Sequence, residues 1–350
     1  MSERVLTTRE LNRALLARQL LLERSDLPLV RAVERIGGIQ AQYAPSAYIG
    51  LWSRLRDFDR QVLTTALERR RLVQATLMRA TIHIVSAADY VRFLEGIRAV
   101  RREWWSRVSR RGADALDMRG ATSLLRKALG RGPRRQRELV ELLQAEGFPR
   151  MAWSGAGMWL DMVRVPPSGT WAQRRADLYG LANGWVPKRS VSEAEGRVHL
   201  LRRYLGAFGP AALADAANWA GLPVTALRAA ADTLRLRRFR DEDGGELLDL
   251  PRGPLPDTDT PAPVRFIPTW DAILLAHARR TQVLPERFRS RVFDTKTPHS
   301  VPTFLVDGAV AGSWRYENGR VRLEPFGRLS AGARRALDEE AERLAAFHAD

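Results

Sequence analysis

The 350-residue sequence contains no cysteine, which excludes disulfides, thiol nucleophiles and cysteine-based zinc sites. Histidine is also scarce. Its five positions are scattered and show no metal-ligand spacing: His83, His199, His277, His299 and His348. We therefore expect neither a metal site nor a cofactor.

Long apolar runs are absent as well. No stretch approaches the roughly 20 apolar residues of a membrane-spanning helix. The first residues, MSERVLTTRELNR, lack the apolar segment of a signal peptide. These features predict a soluble, cytoplasmic protein that does not associate with membranes.

Acidic residues are in deficit: 40 Asp and Glu face 57 Lys and Arg, which gives a net charge of +17. Only Lys127, Lys188 and Lys296 are lysines. Codon bias in a GC-rich genome explains the preference for arginine over lysine, but not the excess of basic over acidic residues. That excess predicts a polyanionic partner, and nucleic acid is the usual one.

One short segment carries candidate chemistry, GGIQAQYAPS at residues 37–46. In an extended backbone, Gln40 and Gln42 lie on the same side. Their amide groups do not ionise, so they cannot act as ordinary general acids or bases. The pair is either a solvated part of a loop or serves a reaction that needs no strong acid.

The same order of elements occurs three times along the chain: helices, then two strand-like runs separated by a turn. This order is typical of a winged helix. The first copy starts with a helix predicted over residues 8–24, capped by Thr8. The third contains helices predicted to start at Pro210 and Thr225, on either side of a Gly-Leu-Pro turn. We predict winged-helix domains over residues 1–112, 113–192 and 193–255.

A different pattern follows the Pro- and Asp-rich segment 251–264, which we interpret as a linker. Asp-Gly and Asn-Gly turns between alternating apolar and polar residues indicate β-hairpins. A closing amphipathic helix is predicted over residues 331–348. The sequence therefore predicts an α+β protein with three tandem winged-helix domains and a small C-terminal β-barrel over residues 262–350.

Five blocks together resemble the AlkZ/YcaQ family of bacterial DNA glycosylases: GGIQAQ, RATIHIVS, GPAALADAANWAGL, WDAILLAH and DGAVAGSWR. The resemblance spans nearly the whole chain. It implies three winged helices and a β-barrel around a basic DNA channel, and a monofunctional glycosylase that removes bulky N7-alkylated purines, including interstrand crosslinks. Several members protect producers of DNA-alkylating antibiotics from their own product. The YcaQ branch carries Gln-x-Asp where the AlkZ branch carries Gln-x-Gln, so the resemblance implies that Gln40 and Gln42 are catalytic.

Alkylation at N7 explains why amides would be sufficient. The alkylated purine is a cation and leaves as a neutral base, so no general acid is needed to protonate it. We expect double-stranded DNA with N7-alkylguanine or N3-alkyladenine as substrate, and a monomeric enzyme. The alternative is a non-catalytic winged-helix DNA-binding protein such as a transcription regulator, although regulators usually bind as symmetric dimers.

Further residues are candidates for DNA contacts. Thr81 and His83 share one strand face, which either faces DNA near the glutamines or is a polar solvent face. Trp171, beside a Pro-Pro-Ser-Gly turn, is a candidate wedge for a DNA groove. Arginines at helix ends and wings are candidate phosphate contacts, namely Arg69, Arg70, Arg71, Arg134, Arg135, Arg174, Arg175, Arg237 and Arg238.

Asp271 directly precedes the apolar run AILLAH. An aspartate in that position is usually a helix N-cap. Its carboxylate is also a candidate for assisting catalysis, and both roles stay open at this point.

Overall fold

A computed structural model describes residues 3–109, 116–294 and 300–349. The predicted boundary between residues 112 and 113 lies outside these ranges. The described helices are α1 (Thr8–Arg18), α2 (Leu29–Arg35), α3 (Ala44–Trp52), α4 (Arg60–Glu68), α5 (Ala87–Ser109), α6 (Met118–Gly130), α7 (Gln136–Ala145), α8 (Met151–Ala156), α9 (Glu193–Phe208), α10 (Leu213–Ala220), α11 (Val224–Asp232), α12 (Arg289–Val292) and α13 (Ala331–Ala349).

The described strands form three sheets. They are β1 (Val5–Leu6), β2 (Ile39–Gln40), β3 (Leu72–Thr76), β4 (Ile82–Ser86), β5 (Arg134–Arg135), β6 (Met162–Arg164), β7 (Leu178–Leu181), β8 (Arg237–Asp241), β9 (Glu246–Asp249), β10 (Arg265–Ile267), β11 (Thr303–Val306), β12 (Ala309–Glu317) and β13 (Arg320–Pro325). None of the helices within the described ranges is both long and apolar enough to cross a bilayer.

The largest sheet joins two hairpins that the sequence assigned to separate domains. Its strand order is β2-β4-β3-β6-β7-β5. The hairpins β3–β4 and β6–β7 meet where Gln74 lies opposite Arg164. The strand β2 pairs with β4, so that Gln40 lies opposite His83. The glutamine segment is therefore an edge of a shared sheet.

The third hairpin, β8–β9, forms a separate sheet with β1. The helix α10 before it starts at Leu213, three residues after the predicted start at Pro210. It ends as predicted at Gly221, whose φ of 73° is left-handed and favours glycine.

The predicted C-terminal β-barrel is not observed. In the described part of the chain, β10, β11, β12 and β13 form an open sheet in that order. The end strands β10 and β13 do not pair with each other, so this sheet is not closed. Instead, Phe266, Phe304 and Trp314 of this sheet pack in one core cluster with Leu344 and Phe347 of α13. The predicted closing helix therefore covers a face of the sheet.

The predicted linker is attached to α1. Arg9 Nε donates to the carbonyl of Thr258 at 2.9 Å, and Arg13 Nε donates to the carbonyl of Thr260 at 2.8 Å. The segment therefore holds the C-terminal sheet against the first helix.

The helices α5 and α9 cross at two glycines. A Cβ atom added to Gly196 would lie 2.5 Å from the backbone nitrogen of Gly96 and 2.7 Å from the carbonyl oxygen of Arg92. The backbones touch there, so the close crossing requires glycine on both helices.

Replacing Gly196 with alanine is expected to lower the free energy of unfolding by about 1–3 kcal/mol, because the methyl group forces the two helices apart. Gly332 in α13 is the matched control, since a Cβ there meets nothing within 4 Å. Gly332→Ala should be neutral or slightly stabilising. Equal stability of the two variants in denaturant unfolding would show that the crossing tolerates a side chain.

Candidate active site

Two glycines bring the glutamine segment onto the sheet. Gly37 and Gly38 end α2 with φ of 82° and 88°, conformations that most L-residues avoid. A Cβ on Gly38 would lie 2.9 Å from Cγ1 of Val85 on β4. The chain therefore turns sharply and approaches β4 closely before it reaches Gln40.

Both catalytic candidates have their side-chain carbonyls held. Gln40 is buried, and its Oε1 accepts a hydrogen bond from Nη2 of Arg79 at 3.1 Å. Gln42 is exposed, and its Oε1 accepts from the backbone N–H of Ile82 at 3.2 Å. Neither NH₂ group has a hydrogen-bond partner among the described residues. Each amide is thus oriented at one end and free to donate at the other.

Gln40 borders a small cavity of about 10 Å³, room for roughly one water molecule. The cavity is also lined by Ser46, Arg54 and Asp271. The buried Oγ of Ser46 has no hydrogen-bond partner in the described part of the chain. A free hydroxyl and a catalytic candidate therefore face the same water-sized space. Neither Ser46 nor Arg54 was singled out from the sequence.

Asp271 takes the first of its two predicted roles. Its carboxylate caps the short 3₁₀ turn Ala272–Leu274 by accepting from the N–H of Ile273 at 3.1 Å. Both carboxylate oxygens also accept from Arg54, at 2.9 and 2.8 Å, in a buried ion pair. This carboxylate lies at the cavity, but its charge is compensated.

Asp271→Ala is expected to lower the free energy of unfolding by about 3–5 kcal/mol, because it leaves Arg54 buried and unpaired. Asp26 provides the control, since its pair with Arg56 is exposed. Asp26→Ala should cost less than about 1 kcal/mol. If Asp271→Ala were as stable as the wild type and lost only excision, the carboxylate would be a catalytic group.

His83 and Thr81 lie beside Gln40 but bond within their own hairpin. The His83 ring is 3% exposed and its Nδ1 lies 3.1 Å from the carbonyl oxygen of Thr81. Burial lowers the pKa of His83 to about 3, so the ring is neutral at physiological pH. Thr81 is half-buried and its Oγ1 donates to the carbonyl of Met78 at 3.0 Å. Both residues support the strand opposite Gln40.

The loop between β6 and β7 contacts the glutamine segment through Arg174. This exposed arginine donates to the hydroxyl of Tyr43, next to Gln42, at 3.0 Å. Trp171, in the same loop, is half-buried. Its ring centroid lies 5.7 Å from that of Phe347 on α13, and the Arg60 guanidinium lies 4.6 Å from the ring. The tryptophan therefore packs against the C-terminal helix.

Arg135 lies on β5, at the edge of the sheet opposite to the glutamine strand β2. Arg135 and Arg175 both pair with Asp177, at 2.6 and 3.1 Å. Arg134 lies 3.9 Å from Glu138. All three arginines are largely exposed, so they can still meet a phosphate on the surface.

The arginines after α4 differ from one another. Arg70 donates to the carbonyl of Gly184 at 2.6 Å. It thereby connects the unit that contains the hairpin β3–β4 with the unit that contains the hairpin β6–β7. Arg69 and Arg71 are exposed, and their side chains have no polar partner in the ranges that the structure describes.

In the third hairpin, β8–β9, Arg237 pairs at 2.5 Å with Asp249, a fully buried carboxylate that also binds Arg18. Arg238 is exposed and pairs with Glu246. Arg237 thus belongs to an internal ion-pair network, whereas Arg238 lies on the surface of the hairpin.

Sequence reasoning missed Arg79, which contacts Gln40 directly. It lies in the turn between β3 and β4, and both Arg79 and Ala80 have positive φ, 50° and 59°. Nothing in an Arg-Ala pair predicts such a turn, which usually contains Asn-Gly or Asp-Gly.

Within the described residues, no three His, Asp or Glu side chains cluster as metal ligands would.

Comparisons with known proteins agree on one family. A family model described as DNA glycosylase AlkZ-like matches residues 33–347. The solved structure of Streptomyces sahachiroi DNA glycosylase AlkZ is similar with a TM-score of 0.82 and 20% identity, covering 99% of this chain and 97% of that chain. At that identity the likeness shows the fold alone. No curated protein matches the sequence. Because the family model covers most of the chain, the protein belongs to the AlkZ-like DNA glycosylase family.

Proposed function

We propose that this glycosylase is monofunctional and hydrolyses the N-glycosidic bond of cationic N7-alkylguanine in double-stranded DNA, with Gln40 and Gln42 as its catalytic residues. N3-alkyladenine and interstrand crosslinks at N7 belong to the same class of cationic substrates. The observation that supports this is the arrangement of the two amides, whose carbonyls are held by Arg79 and by the N–H of Ile82. Among the described residues that line the cavity, the one carboxylate is that of Asp271, and it is paired with Arg54.

Such a site suits a leaving base that is already positively charged. Because the alkylated purine departs as a neutral base, no proton donor is required. What the protein must do is hold the nucleotide and a water molecule in line with the sugar. The free NH₂ groups can donate to oxygens of the substrate, and each amide oxygen keeps a second lone pair for water.

The expected product is an abasic site without strand cleavage. A lyase step needs an amine that forms a Schiff base, and residues 1–126, which include the whole glutamine segment, contain no lysine. We therefore assign only the hydrolytic step.

We infer that the three helix–hairpin units act as winged helices on a single duplex, with the protein as a monomer. The cavity at Gln40, about 10 Å³, is too small for a nucleobase. Full extrusion of the base into a closed pocket, as in base-flipping enzymes, does not suit this surface. A bulky lesion can instead be contacted while it stays within the duplex. We also propose that the protein protects its host from a DNA-alkylating natural product.

Methylated duplex DNA tests the function. After incubation with the protein, alkali should cleave the DNA at methylated purines, and little cleavage should occur without alkali. Gel retardation of the same duplex without alkali-labile sites would favour the alternative, a non-catalytic DNA-binding protein.

A further inference from the structure

Arg79 is a half-buried cation that meets no carboxylate among the described residues. Its two hydrogen bonds go to neutral acceptors: Nη1 donates to the carbonyl of Trp219 at 3.3 Å, and Nη2 donates to Oε1 of Gln40 at 3.1 Å. A guanidinium has five N–H donors, so three are left over. Burial lowers the pKa of Arg79, and the nearby Arg280 lowers it further. A guanidinium nevertheless stays charged at neutral pH.

The backbone that carries this side chain is strained. Arg79 and Ala80 both adopt left-handed conformations that are unfavourable for residues with a Cβ. The turn also packs closely against Gly221, at the end of α10, since a Cβ there would lie 3.0 Å from the Arg79 backbone nitrogen. Strain of this kind is often found at functional sites.

The fully buried arginines differ from Arg79 in their surroundings. Arg18 and Arg54 are paired with the buried carboxylates of Asp249 and Asp271. Arg101 and Arg164 have no carboxylate partner in the described part of the chain, but they are only 9% and 7% exposed.

Arg101 donates to the carbonyls of Thr76 and Leu77, and Arg164 donates to the carbonyl of Ala176 and to two hydroxyls. Both are thus enclosed by the protein. Arg79 combines an unpaired charge, unused donors and access to solvent.

The charge is also placed where it would oppose the reaction. Loss of the base leaves positive charge on the sugar, and an uncompensated cation next to Gln40 would raise the energy of that state. An anion bound to Arg79 removes the conflict. Double-stranded DNA supplies such an anion at every nucleotide, and guanidinium binds phosphate through paired N–H donors.

We propose that Arg79 binds a phosphodiester of the damaged strand beside the lesion nucleotide, and that the same guanidinium orients Gln40. The phosphate contact is independent of the catalytic role of Gln40. The orienting contact rests on the proposed function.

The phosphate contact is tested by binding alone. The probe is a duplex with a tetrahydrofuran abasic analogue, in which one of the two phosphates on either side of the analogue is replaced by an uncharged methylphosphonate. Wild-type protein should lose about 10-fold or more in affinity at one of these positions, as expected for a charge-assisted hydrogen bond. Arg79→Gln should bind the unmodified duplex with a similar loss and show no further loss at that position.

The control is Arg334→Gln, which removes an exposed arginine of α13 and should behave as the wild type at every phosphate. Two results would overturn the contact: no sensitivity of the wild type at any of the positions, or an undiminished methylphosphonate effect in a folded Arg79→Gln. The wild-type scan needs no variant, so it stays informative even if Arg79→Gln fails to fold.

Single-turnover excision tests the orienting contact. Arg79→Gln should be slow at saturating enzyme, and the double variant with Gln40→Ala should be no slower than Gln40→Ala alone. Additive slowing would refute the orienting role. A wild-type rate in Gln40→Ala would instead refute the proposed catalytic role of Gln40 and leave the phosphate result untouched.

Discussion

Gln40→Ala is expected to slow base excision about 100-fold or more, as the loss of one oriented polar group does in other active sites. Gln40 is buried, its carbonyl is held by Arg79, and it borders the water-sized cavity. Its loss removes the group that we expect to position water. Single-turnover release of methylated purine, with protein in excess over DNA, measures this step without product release.

DNA binding should be nearly unchanged in this variant, because the amide carries no charge to pair with phosphate. Gln42→Ala should slow excision in the same direction. Gln61→Ala is the matched control, since Gln61 is an exposed glutamine on α4 that bonds Thr65 at 3.2 Å. Unchanged excision rates in both Gln40→Ala and Gln42→Ala would refute the catalytic assignment.

The second large effect concerns the charge of the leaving base. N7-methylguanine and N3-methyladenine should be excised, whereas uracil should not. A neutral base leaves as an anion unless a general acid protonates it, and general acid catalysis contributes roughly 10²–10⁴-fold. Among the described residues near Gln40, neither Asp271 nor His83 is suited to this role, since Asp271 is paired with Arg54 and His83 is buried with a pKa of about 3.

Excision rates on oligonucleotides with a single lesion measure this selectivity. The control is the spontaneous loss of each base without protein, since alkylated purines also depurinate slowly in water. Equal enzymatic release of uracil and methylated purine would mean that the site protonates or stabilises an anionic leaving group, and it would refute the dependence on a cationic base.

Much of the architecture follows from local sequence signals. The order of helices and hairpins, the glycine turn at Gly221, and the closing helix α13 agree with the prediction. Each depends on short-range chemistry, namely apolar periodicity or a residue that tolerates positive φ.

The first helix shows where this reasoning fails. Leucine periodicity predicted a helix to residue 24, but α1 ends at Arg18. Leu20 adopts φ of 57°, and the N–H of Leu21 then bonds back to the carbonyl of Leu16 at 2.9 Å. Burial of Leu21 in the core favours this turn over continued helix. The cap is also shifted, because Thr7 and not Thr8 forms a capping box with Glu10.

The site was only partly accessible to sequence reasoning. Gln40 and Gln42 were singled out because they form a Gln-x-Gln segment directly after two glycines. Asp271 was singled out because it directly precedes an apolar run. Arg79 and Ser46 were not, because their importance depends on strained backbone and on an enclosed cavity. The packing of Trp171 on Phe347 joins residues far apart in sequence, which no local pattern reveals.

The central claim is that a nucleobase carrying a positive charge can be released by a site built on uncharged amides. The most direct test compares two substrates of nearly equal shape in the same duplex, one with N7-methylguanine and one with 7-methyl-7-deazaguanine, which is uncharged. Free base is then measured by mass spectrometry. We predict release of the cationic base and none of its uncharged counterpart. Release of both at equal rates, or of neither, would contradict the account.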